Sequence, residues 1–91
     1  MTHLIDEGQR TAALARLARL EGQLRGVRRM IESNQDCESV MQQLAAVRGA
    51  LNKAFYHVLA CVLTAQLLDQ SDPRPLEAKA DEMASLLARY A

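Results

Sequence analysis

Cys37 and Cys61 are the two cysteines of this 91-residue chain. A thiolate can ligate a soft metal or attack an electrophilic carbon or sulfur, so these residues are the first candidates for chemistry. They lie 24 residues apart, and on one helix they would be separated by roughly 36 Å, too far to meet within a chain. Gly49 stands midway between them. Two copies of the helix, crossing antiparallel at Gly49, would bring Cys37 of one to Cys61 of the other, twice per dimer. His57 is four residues before Cys61, on the same helical side. Cys37, Cys61 and His57 could therefore offer an S₂N set for Cu(I) or another soft transition metal. His3 is a further imidazole near the N-terminus.

The second chemical feature is charge. From Arg10 to Arg29 there are six arginines against one acid, Glu21, whereas from Asp69 onward there are five acids against three bases. The net charge of zero conceals this asymmetry. Arg16, Arg19, Arg25, Arg28 and Arg29, with Arg48 and Lys53 further on, are suited to phosphate contact by the planar guanidinium fork and the ammonium group. Two Tyr, one Phe and no Trp leave little for base stacking, which favours reading of a duplex backbone over a single strand. Paired carboxylates, a Ser-His-Asp set and a Gly-rich phosphate loop are all absent from the sequence, so no enzymatic activity is expected.

The elements that must position these residues are helices, and the expected fold class is all-α. Leu17, Leu20, Leu24, Val27 and Ile31 recur at a spacing of three and four, predicting a helix over about 11–33 with Thr11 as N-cap. Asp36 is a good cap for a second helix over about 37–68. Its seam, Cys37, Val40, Leu44, Val47, Leu51, Ala54, Val58, Cys61 and Ala65, repeats the same spacing. A second stripe runs through Met41, Phe55, Leu59, Leu63 and Leu67, so one stripe can pack on the first helix and the other on a partner chain. Asp69 to Pro75 breaks the pattern, and Asp72 is expected to cap a third helix over about 74–89. Residues 1–91 thus read as one domain, too small to be stable through its own core and expected to work as an oligomer. Gly22 and Gly26 each cost about 1 kcal/mol in a helix interior, which a close approach would justify. No apolar run is long enough to span a membrane and the N-terminus is polar, so a cytoplasmic, reducing location is expected.

Three runs carry a resemblance: Arg19-Leu-Glu-Gly-Gln-Leu-Arg-Gly-Val-Arg-Arg-Met-Ile-Glu32, then Asp36-Cys37, then Gln42-Gln-Leu-Ala-Ala-Val-Arg-Gly-Ala-Leu-Asn52. Across nearly the whole chain the sequence resembles the CsoR/RcnR/FrmR family of bacterial repressors. The resemblance implies a three-helix protomer with a long second helix, an antiparallel four-helix-bundle dimer, and its doubling to a tetramer. It also implies binding of double-stranded operator DNA without a helix-turn-helix, and release when an effector reaches the helix-two cysteine, here Cys37. The positions similar to the family's basic DNA-contacting residues are Arg16 and Lys53, with Arg48 nearby. The chain departs from the metal-sensing pattern. Where copper, nickel and formaldehyde sensors usually carry a His, 25 residues after the first Cys, it has Val62. Where copper and persulfide sensors carry a Cys, 29 residues after it, it has Gln66. His57-x-x-x-Cys61 stands about one turn earlier instead, and His3 matches an N-terminal ligand of nickel/cobalt sensors without the later histidines.

The expected function is therefore a repressor that leaves its operator when an interchain Cys37/Cys61 site reacts with a persulfide or aldehyde. One alternative is a Cu(I) sensor, less readily a Ni or Co sensor, using Cys37, Cys61 and His57. The other is a helical scaffold without a DNA partner.

Overall fold

In a computed structural model, which describes residues 6–91, the chain forms three α-helices. They are α1 (Glu7–Glu32), α2 (Cys37–Leu67) and α3 (Leu76–Tyr90).

The first helix begins earlier than its apolar stripe suggested. Asp6, not Thr11, is the N-cap, its carboxylate accepting from the Gln9 N–H at 2.6 Å. A short carboxylate near free N–H groups and the helix dipole outcompetes a threonine one turn further in. The helix ends in a Schellman arrangement. Asn34 adopts the left-handed conformation (φ 63°), its N–H reaches the Ile31 carbonyl, and the Gln35 N–H reaches back to Met30. Asp36 then caps α2 as expected, accepting from the Ser39 N–H at 2.7 Å and the Ser39 hydroxyl at 3.0 Å. These bonds to Ser39 hold the Asp36 carboxyl below its ordinary pKa.

The tight turn folds α1 back on α2. Ala13, Leu20 and Val27 of α1 are buried, as are Val47, Ala54 and Cys61 of α2, each set spaced by sevens. The other members of the two seams, Leu17, Leu24 and Ile31 on α1 and Leu44, Leu51 and Val58 on α2, remain exposed. The seam of α2 therefore splits: its Val40–Val47–Ala54–Cys61 line faces α1 and its Cys37–Leu44–Leu51–Val58 line faces outward. This corrects the expectation that the whole seam faces a single neighbour. Successive seam residues flank the contact rather than point along it, so a single neighbour can cover only one line.

Asp72 does not cap α3. It accepts from the Arg74 backbone and guanidinium, and Arg74 also pairs with Glu82. The helix starts at Leu76, with Pro75 in the cap position and no side-chain bond there. Lys79 ties the helix to the Asp69 carbonyl at 3.2 Å, and Tyr90 meets Phe55 edge-to-face at 6.1 Å. The protomer measures 58 × 27 × 15 Å, hardly more than one helix thick, and no described large side chain is fully buried.

Candidate thiol site and basic groove

Cys37 is exposed in the first turn of α2. It opens onto a groove of about 280 Å³ formed with Ile31, Asn34, Gln35, Val40 and Met41 at the closed end of the hairpin. The capping bonds of Asp36 and the left-handed turn at Asn34 fix the backbone that presents the thiol. Cys61 is 3% exposed and belongs to the line packed on α1. Viewed down α2 at 100° per residue, Cys37 lies about 40° to one side of Leu51, and Cys61 about 80° to the other. His57 is rotated about 120° from Leu51, on the Cys61 side. The expected Cys37–Cys61 pairing across subunits therefore meets a packing obstacle, because one thiol is open and the other sits in its own protomer's core.

Gly49, the expected crossing point, is on another side of the helix. It lies about 160° from Leu51, close to the opposite side of α2 from the exposed apolar line. It lines a groove of about 400 Å³ with Arg16, Arg19, Gln23, Ala46, Ala50 and Lys53. A Cβ at Gly49 would have open space, as would one at Gly26, while Gly22 faces only the Arg25 side chain at 3.9 Å. Nothing within the protomer requires a close approach at these glycines.

The basic residues divide into three places. Arg16, Arg19 and Lys53 share the groove across α1 and α2. Arg25, Arg28 and Arg29 form a second concavity on α1 with Glu32, which pairs with Arg28 at 3.9 Å. Arg48 stands apart, beside Met41, Leu44 and Ala45 on the apolar side. Arginine density on the linear chain could not make this division, which depends on how α1 docks.

Among the described residues no group of three or more His, Cys, Asp or Glu is placed to hold a metal ion. The Nε2 of His57 is buried without a hydrogen-bond partner, but the helix rotation directs it away from Cys37. His3 lies outside the described residues. Val62 and Gln66 share the Cys37 side of α2, and neither supplies a soft ligand. Within one protomer the described residues offer Cys37 no second thiol or imidazole ligand. Gln66, which stands where the resembling copper and persulfide sensors carry a Cys, has its carboxamide oxygen buried and without a hydrogen-bond partner.

The helical hairpin thus carries an open cysteine at one end and a basic groove along one flank. Residues 9–89 match the model of the metal-sensitive transcriptional repressors, and the chain belongs to that family. It is similar to the transcriptional repressor RcnR of Salmonella paratyphi B, at 32% identity over 99% of this chain and 98% of that one. It is also similar to RcnR of Escherichia coli O9:H4, at 31% identity over the same shares. Among solved structures it resembles a variant of the formaldehyde-responsive regulator FrmR from Salmonella enterica serovar Typhimurium. That likeness has a TM-score of 0.78 at 29% identity and covers 94% of this chain and 98% of that one. Among the described residues no helix is long and apolar enough to cross a membrane.

Proposed function

We propose that this chain represses transcription in the cytoplasm by binding double-stranded operator DNA as a homodimer or homotetramer, and that it leaves the DNA when Cys37 reacts with a thiol-directed signal. A persulfide or an aldehyde fits this role. The observation that carries the reading is the exposed Cys37 at a fixed helix start, opening onto a groove at the end of the hairpin. Such a thiol is accessible to a small electrophile. The groove of Arg16, Arg19 and Lys53 supplies the phosphate contacts. A change at Cys37 is transmitted through the first turn of α2 to the hairpin that carries this groove.

The reduced protein is treated separately with a persulfide donor, an aldehyde and Cu(I), and intact mass and operator mobility shift are recorded. Release accompanied by a mass increase on the peptide containing Cys37, and absent from Cys37→Ser, is the expected result. Release by copper alone at unchanged covalent mass would reinstate the soft-metal reading. Failure to shift DNA even at low salt would leave the helical-scaffold reading.

A further inference from the structure

We propose that Gly49 forms the floor of the DNA-binding groove, where it admits a sugar–phosphate strand of the duplex against the bare backbone of α2, between Arg16 and Arg19 on one wall and Lys53 on the other. This deepens the repressor reading and rests on it. The groove of about 400 Å³ has cations from both helices and only Ala46, Gly49 and Ala50 as small residues between them. No carboxylate lines it. Among the described residues Arg16, Arg19 and Lys53 form no ion pair, whereas Arg10, Arg28 and Arg74 do. Three cations without acidic partners, converging on one concavity, make a site for a polyanion.

Gly49 is otherwise unexplained. It sits inside the 31-residue helix α2 without a positive φ, so no turn requires it. Glycine there costs helix stability relative to alanine. A Cβ at this position would meet nothing within 4 Å, so packing inside the protomer does not require it either. It lies about 160° from Leu51, so a subunit placed on the exposed apolar line leaves it open. The requirement therefore comes from a ligand outside the protomer, and the cations on both walls make that ligand anionic. Lys53 stands one turn further along the same side of α2. With only hydrogen on the Gly49 Cα, a strand can lie on the helix and bring its phosphate oxygens within about 2.7–2.9 Å of guanidinium and ammonium groups. A methyl group would lift the strand by about one carbon–carbon bond length, ~1.5 Å, beyond hydrogen-bond reach. Duplex DNA is stiff on this scale and does not bend round the obstacle.

Gly49→Ala separates this role from a structural one. The probe is a labelled duplex of random sequence at low salt, because phosphate contacts do not depend on sequence. Alanine has open space and the better helix propensity, so the variant should melt about 4–8 °C higher by circular dichroism. It should nevertheless bind the duplex about 10–100-fold more weakly in fluorescence anisotropy, the loss expected for one charge-assisted contact. Gly49→Leu should weaken binding further. Gly22→Ala is the control. Gly22 lies about 160° from the buried Leu20, on the side of α1 turned away from α2, so this variant should gain similar stability and keep its affinity. Unchanged duplex affinity in Gly49→Ala would overturn the proposal and leave the repressor reading intact. A lowered Tm in Gly49→Ala would assign the glycine to packing and overturn the proposal as well. Failure of the unaltered protein to bind the duplex would overturn the repressor reading, and this proposal with it.

Discussion

Replacing each cysteine by serine separates a sensing role from a packing role. Cys61 is 3% exposed, on the line of α2 that carries the buried Val47 and Ala54. A serine there puts a hydroxyl into an apolar contact, at a cost of about 1–3 kcal/mol if the hydroxyl goes unpaired. Mid-helix serines can return their proton to the carbonyl four residues back, which places the expected cost in the lower half of that range, about 1–2 kcal/mol. A domain of this size loses about 4–8 °C of Tm per kcal/mol, so Cys61→Ser should melt roughly 5–15 °C lower. Cys37 is exposed, and its substitution should change stability by no more than about 0.5 kcal/mol. Thermal unfolding followed by far-UV circular dichroism at one fixed protein concentration measures both, with operator release by the persulfide donor assayed on the same samples. Cys37→Ser should keep the Tm and lose the response, and Cys61→Ser should do the reverse. A Cys61→Ser protein of unchanged Tm that no longer responds would refute this reasoning and show that the core-facing thiol is a sensing group.

Arg16→Ala and Lys53→Ala should each weaken operator binding and lower the slope of log affinity against log salt by about 1, as expected for one lost phosphate contact. Arg48→Ala, on the apolar side, should leave that slope unchanged in the same fluorescence-anisotropy titration. The linker should be acid-sensitive. Bonds from the Arg74 guanidinium and backbone lower the Asp72 pKa from 3.8 to about 2. The contribution of this folded contact is thus fully present above pH 3.8 and is lost as pH falls through about 2. Amide exchange of α3 should accelerate across that window, and Asp72→Asn should show the faster exchange already at neutral pH.

The helical class, the three-helix count, the breaks at Ser33–Asp36 and Asp69–Pro75, and the candidacy of Cys37 were all legible in the sequence. Each depends on local rules: apolar residues at a spacing of three and four, a carboxylate before a helix, and proline after one. Membership of the repressor family followed from contiguous residues as well. The start of α1 was misplaced because the apolar stripe marks the face of a helix, whereas Asp6 marks its end.

What the sequence could not determine was the side of α2 on which each residue falls once α1 has docked. A seam of alternating threes and fours contains two lines, and periodicity alone does not say which is covered from within the chain. The tertiary structure buried Val47, Ala54 and Cys61 against α1 and left Cys37, Leu44 and Leu51 open. That choice buried one thiol while leaving the other open, and set Gly49 in the basic groove. The physical reason is that helix rotation is set by side-chain packing between α1 and α2, a non-local balance absent from the spacing of residues along either helix.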